Sequence, residues 1–153
     1  MTQSSARPKI GLIVPGFSAS EMDWCIPAHL SLVRRLANCV ELHLFPLRYP
    51  HQRQDYHVYA ARVHPLGGAE TRGLGRALLL RRAIAAVIAE HKHRPFDVLH
   101  AIWIDEPGFV AVTAGLLLRV PTVLSLAGGE LVSLPDIKYG GQISRLNRVL
   151  VWV

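Results

Sequence analysis

Lys9-Ile10-Gly11-Leu12-Ile13-Val14-Pro15-Gly16 is the stretch that decides the fold. Its apolar residues follow one another without polar alternation, so a strand built from them has no face to turn toward water. That is the pattern of a strand in a parallel sheet with helices packed on both sides. A secretory signal is the competing reading, since Arg7 and Lys9 precede the run and Ser18-Ala19-Ser20 loosely resembles a cleavage site. Pro15-Gly16 ends the run before an adequate hydrophobic region accumulates. A buried strand over 9–15 is the better account. No run reaches the ~18 apolar residues of a membrane span, and a cytoplasmic location is expected.

Working outward, short apolar runs alternate with longer periodic ones. Residues 26–38 carry Leu30, Val33, Leu36 and Ala37 at helical spacing, with Pro27 suited to a first turn. Residues 40–46 alternate with period two and predict the second strand, 47–57 read as a polar and aromatic surface loop, and 58–64 as a third strand. Glycines 67, 68, 73 and 75 precede a helix over 75–92 whose expected inner face is Leu80, Ile84, Val87, Ile88 and His91. Strand four is expected at 97–102, a helix at 107–118 and strand five at 121–126. A last helix after Gly140-Gly141 places Ile143, Leu146, Val149, Leu150 and Val153 on one side, with no Gly, Asn or Pro to close it. The chain therefore reads as incomplete at its C-terminus. Strand–helix alternation of this kind predicts an α/β fold: a Rossmann-like parallel sheet with helices on both faces.

Length and composition agree. The 153 residues suit one compact domain, and with 50% hydrophobic and 18% charged residues the chain is no disordered polymer. Its 12 Gly and 10 Pro have no period, which excludes collagen-like sequence, and 2 Cys cannot make a disulfide scaffold. Cys25 and Cys39 are expected as buried, reduced thiols. An excess of 17 Lys and Arg over 11 Asp and Glu gives +6 and suits anionic partners. Arg72, Arg76, Arg81 and Arg82 concentrate charge near the second helix. They read as a solvated face or as a contact for an anionic membrane surface. A nucleic-acid partner is not expected, because no aromatic-interleaved basic strand or recognition motif occurs.

In doubly wound sheets ligands sit beyond the carboxyl ends of the strands, where strand order reverses. Three loops qualify. Gly16-Phe17 follows strand one and lets a backbone approach a sugar or phosphate, though a tight turn explains an isolated glycine as well. His100 and Trp103 close strand four: the histidine reads first as a satisfied core residue, with a ligand contact left open by its place near the strand's end, and the tryptophan as a stacking platform or a lid on the core. Gly128-Gly129-Glu130 follows strand five and reads either as two glycines freeing the backbone beside a carboxylate able to accept sugar hydroxyls, or as a turn capped by a solvated Glu. Asp105 and Glu106 are adjacent and do not by themselves make an acid/base pair.

Other motifs fail. Gly73-Leu74-Gly75 has Leu78 where a dinucleotide fingerprint needs its third glycine, so an NAD enzyme is disfavoured. Neither a phosphate-binding GxxxxGK[ST] loop nor a GxSxG nucleophile elbow is present. His91 and His93, two apart on a helix, point to different sides, and no metal site is expected.

The segments IVPGFSASEMDWCIPAHLSLVRRLA, FDVLHAIWIDEPGFVAV and VPTVLSLAGGELVSLPDIKYGG, in that order, resemble the N-terminal domain of family 4 glycosyltransferases of the GT-B fold. The resemblance spans nearly the whole chain. It implies a domain over 1–153 that is one half of a GT-B fold, the acceptor-side half, with the donor-binding half absent. The implied activity is transfer of a sugar from a nucleotide-linked donor with retention of configuration. The implied partners are that donor, as co-substrate, and a carbohydrate or lipid-linked acceptor; no tightly bound cofactor is implied. Gly16 would face the cleft, Glu21, Asp23 and Trp24 would lie toward the acceptor, and His100, Gly128, Gly129 and Glu130 match the family's strand ending and glycine loop. Ala127 stands where many members carry a histidine, so no catalytic residue is carried over. A non-catalytic remnant or binding module is the alternative.

Overall fold

The computed structural model describes residues 7–69, 71–129, 131–137 and 140. In chain order the elements are β1 (Lys9–Gly16), α1 (Pro27–Leu36), β2 (Glu41–Tyr49), β3 (Tyr56–Val58), β4 (Ala61–Val63), α2 (Leu74–His93), β5 (Val98–Ile102), α3 (Glu106–Leu118) and β6 (Thr122–Ser125), followed by a 3-10 turn at Pro135–Ile137. The strands form one sheet in the order β3-β4-β2-β1-β5-β6, parallel except for β3, which pairs antiparallel with β4. From β1 the chain moves outward through β2 and β4, then crosses back over α2 to add β5 and β6 on the opposite side of β1.

The central position of β1 explains its composition. Leu12 and Val14 pack with Leu30 and Val33 of α1 on one face of the sheet. Ile13 packs on the other face with Leu79, Leu80, Ala83 and Val87 of α2 and Val110, Ala111 and Ala114 of α3. Leu12, Ile13 and Val14 are all fully buried. A polar residue on either face would lose its water with no partner. Gly11 is required by crowding, since a Cβ there would lie 2.8 Å from a Leu99 methyl.

Several expectations need correction. Residues 47–49 continue β2, with Leu47 fully buried. The register between β1 and β2 shifts between Val14↔Pro46 and Gly16↔Tyr49, and this irregularity carries the strand past Pro46. The expected third strand is a hairpin, β3 and β4, turning at Tyr59 with φ 52°. α2 buries Leu79, Leu80, Ala83 and Val87; Ile84 only borders the core and His91 is half-buried. So many of its residues are apolar that periodicity did not fix the inner face, and small Ala83 lets the helix come close. Cys25 and Cys39 are both exposed. Ala37 takes the inward position at the end of α1, and Cys39 lies beyond it. The expected final helix lies outside the described residues.

Candidate functional site

The reversal of strand order falls between β1 and β5. Because β1, β5 and β6 are adjacent and parallel, Gly16, Trp103 and Ala127-Gly128-Gly129 all lie along one carboxyl edge. The β1–α1 loop forms one lip. The Phe17 N–H donates to the Tyr49 carbonyl at 2.9 Å, and the Phe17 ring is wholly buried in the core rather than presented at the edge. His29, in the first turn of α1, places Nδ1 3.4 Å from the Gly16 carbonyl. Asp23 Oδ2 accepts from the Ala19 N–H at 2.7 Å and from the Tyr49 hydroxyl at 3.0 Å. Glu21 accepts from the Tyr59 N–H at 3.2 Å, tying the loop to the hairpin turn. Trp24 stays 69% exposed, an apolar ring held in solvent by an anchored loop.

The other lip is the β5–α3 turn. Trp103 has φ 76°, and its N–H donates to the Ser125 carbonyl at 2.9 Å. The left-handed residue turns the chain sharply from β5 into α3, where Pro107 sits in the first turn. His100 is not at the edge. It pairs with Leu12 and Val123, and Leu12 is four residues before Gly16, about 13 Å along a strand. Nε2 lies 2.8 Å from the Ser125 hydroxyl, and burial holds the ring below the ordinary histidine range. Gly128 is exposed and Gly129 half-buried, its carbonyl accepting from Val132 at 3.0 Å. Glu130 lies outside the described residues. The structure therefore brings Gly16, Trp103, Gly128 and Gly129 to one edge, with Glu21, Asp23 and Trp24 on the loop that begins there.

Behind this edge sits an ionic cluster that sequence reasoning missed. Glu106, at the start of α3, is 6% exposed. Arg48, near the end of β2, grips it with both ends of its guanidinium, Nε to Oε2 at 3.0 Å and Nη2 to Oε1 at 2.6 Å. Its remaining terminal nitrogen donates to the Ala69 carbonyl at 2.7 Å. Arg76, in the first turn of α2, pairs with the same Oε1. Arg76 is thus no part of a solvated face, and neither is Arg82, which donates to the Leu66 carbonyl. The three residues are 28 to 58 positions apart in sequence, so only the strand order discloses them.

A second polar cluster lies under α2, beside β2 and β4. His43 Nδ1 is 3.0 Å from His64 Nε2. His43 Nε2 is 3.2 Å from Glu41 Oε1, and His64 Nδ1 is 2.8 Å from Asp55 Oδ2. Glu90 on α2 closes the third side, 3.5 Å from His43 Nδ1 and 4.0 Å from His64 Nε2. Lys9, 1% exposed, donates to Glu90 Oε1 at 2.7 Å and to the Arg94 carbonyl at 3.0 Å. Burial and the Lys9 charge lower His43 to about 4, and burial lowers His64 as well. Burial would raise the Glu90 carboxyl, but the Lys9 hydrogen bond and the neighbouring positive groups hold it below its usual value.

Among solved structures, the sucrose-phosphate synthase of Thermosynechococcus elongatus superposes with a TM-score of 0.60 at 13% identity, covering 94% of this chain. The fold is GT-B-like. The chain spans 40% of that synthase's length. No family model matches the sequence, and no curated protein does. Among the described residues of the GT-B-like domain, no helix is long and apolar enough to cross a membrane.

Proposed function

We propose that the chain is the acceptor-side half of a family 4-type retaining glycosyltransferase, its carboxyl edge forming one wall of a sugar-transfer cleft. The observation that carries this reading is the reversal of strand order between β1 and β5, with the loops after β1, β5 and β6 gathered on one edge. Gly16 and Gly129 offer backbone approach, and the exposed Trp24 and the Trp103 turn offer faces on which a sugar ring stacks. The donor is a nucleotide-linked sugar, the acceptor a carbohydrate or lipid-linked sugar. A cytoplasmic site suits such a donor, and the exposed Arg72 and Arg81 near α2 suit contact with an anionic membrane face.

Transfer requires donor and acceptor held together in one geometry, and these residues supply one wall. One observation favours a binding module over a self-sufficient catalyst. The buried carboxylate at the edge, Glu106, is gripped bidentately by Arg48, and Ala127 leaves the glycine loop without an imidazole. The test is a turnover assay on the isolated chain with a panel of nucleotide sugars, paired with tryptophan fluorescence during acceptor-sugar and NAD titrations. We expect no turnover above buffer and a saturable sugar-dependent change that Trp24→Ala diminishes. Turnover by the chain alone overturns the one-wall reading. A response to NAD with none to sugars overturns the glycosyltransferase reading altogether.

A further inference from the structure

Counting protons in the cluster under α2 gives an imbalance. Three short contacts run through it in a line: Glu41 to His43 at 3.2 Å, His43 to His64 at 3.0 Å and His64 to Asp55 at 2.8 Å. Each needs one hydrogen between its two atoms, and two neutral imidazoles carry only two. When the outer nitrogens, His43 Nε2 and His64 Nδ1, donate to their carboxylates, the inner nitrogens face each other as bare lone pairs. That arrangement is repulsive at 3.0 Å unless a cation lies between or beside them. It is also the arrangement found around metal-ligating histidines, whose outer N–H donates to a carboxylate and so fixes the tautomer.

We propose that His43 Nδ1, His64 Nε2 and Glu90 form a binding site for a divalent transition metal, zinc by ligand type. In a tetrahedral zinc site with bonds of about 2.0–2.1 Å, neighbouring ligand atoms lie about 3.3 Å apart. Here His43 Nδ1 and His64 Nε2 are 3.0 Å apart, Glu90 Oε2 is 4.0 Å from His64 Nε2 and Glu90 Oε1 is 3.5 Å from His43 Nδ1, and one ligand atom from each of the three residues falls within 4.8 Å of the others. Lys9 occupies Glu90 Oε1, which leaves Oε2 to the metal. A cavity of about 410 Å³ is walled in part by His64, Glu90 and His93, and it would give the ion an entry path and room for a water as a further ligand.

The surrounding charges select the metal. Lys9 is bonded to Glu90, Arg62 to Asp55 at 3.1 Å, and Arg94 to Glu41. The three carboxylates are thus balanced by three cations, and attraction comes from the nitrogen lone pairs rather than from net negative charge. Zinc, cobalt and nickel favour such donors, whereas calcium and magnesium favour oxygen. The site lies beside β4 and the last turns of α2, away from the carboxyl edge. It would tie the hairpin to the helix rather than take part in sugar transfer, and it stands independently of that reading.

The test uses the untagged, metal-free full chain, titrated with Zn²⁺ by calorimetry and with Co²⁺ by visible absorption. We expect one equivalent bound, the intense bands of tetrahedral cobalt, and no response to Mg²⁺ or Ca²⁺. His64→Asn and Glu90→Gln should abolish the bands. Asp55→Asn, a change at a side chain 42% exposed that leaves the core intact, should weaken binding about 10-fold or more through the His64 tautomer. Absence of cobalt bands in the unaltered chain overturns the site in favour of a shared proton. Binding that neither Asp55→Asn nor His64→Asn changes overturns it too, since the metal is then held elsewhere.

Discussion

Glu106, behind the carboxyl edge, is 6% exposed and paired with two arginines. A buried carboxylate is tolerable only because Arg48 and Arg76 surround it, and removing its charge leaves two guanidinium groups facing a neutral amide. Breaking one partner out of a buried ion pair costs about 3–5 kcal/mol. Here both arginines keep some water, their side chains 30% and 20% exposed, so Glu106→Gln should destabilise by about 2–3 kcal/mol, read as a fall in the urea midpoint. Gly68 presents a different constraint. A Cβ there would lie 2.4 Å from the Leu47 carbonyl oxygen and equally close to a Leu79 methyl, and the backbone atom cannot rotate away. Gly68→Ala should cost about 1–3 kcal/mol by overpacking, and an unchanged midpoint would show that β2 and α2 are less tightly joined than these distances imply.

At the scale of elements, the β1–α1 loop is held mainly from the β2 and β3–β4 side. The Tyr56 hydroxyl donates to the Ser18 carbonyl at 2.8 Å, and burial pushes that phenol well above its ordinary pKa, so it remains a donor throughout the accessible pH range. Tyr56→Phe leaves the carbonyl unmatched and should cost about 1 kcal/mol, with amide exchange speeding up at Ala19 and Ser20 before the rest of the sheet. Uniform protection in the variant would mean that Asp23 and Tyr49 suffice to hold the lip. The hairpin that supplies Tyr56 was the least legible part of the sequence. β1 and the three helices announce themselves through an unbroken apolar run or helical spacing, and β5 through an apolar run that only His100 interrupts. β3 and β4 are three residues each, too short for a period to establish itself, and Val58, Ala61 and Val63 reach the apolar cluster shared with Leu30 and Val33 of α1 only through the pairing of the hairpin with β2. The same reason hides the candidate sites. Arg48 with Glu106, and His43 with His64 and Glu90, become neighbours through strand order and register, neither of which leaves a local spacing to find. The places of Gly16, Gly128 and Gly129 were legible because each follows the end of a strand whose apolar run is itself local.

For the whole molecule, acid is the condition that should act on many of these contacts at once. His29, His43, His64 and His100 all have their ring pKa lowered, and in each case burial is the largest cause. A ring whose folded-state pKa lies below its unfolded value of about 6.5 binds fewer protons folded than unfolded. Its stabilising contribution is therefore complete above about pH 6.5 and is lost as the pH falls toward the folded value, about 4 for His43. Glu90, held below the ordinary carboxylate range by Lys9 and the neighbouring rings, adds a second loss at still lower pH, when its bond to Lys9 gives up the charge. The metal-free chain should accordingly show a urea midpoint that is flat above about pH 7, declines between about pH 6.5 and 4, and steepens below that. Replacing His29 and His100 together with Asn should make the first decline shallower while leaving the second, which belongs to Glu90, in place. A midpoint that does not move between about pH 7.5 and 5 would mean that these rings keep water on protonation, and that α1 and β5 open easily enough to let it in.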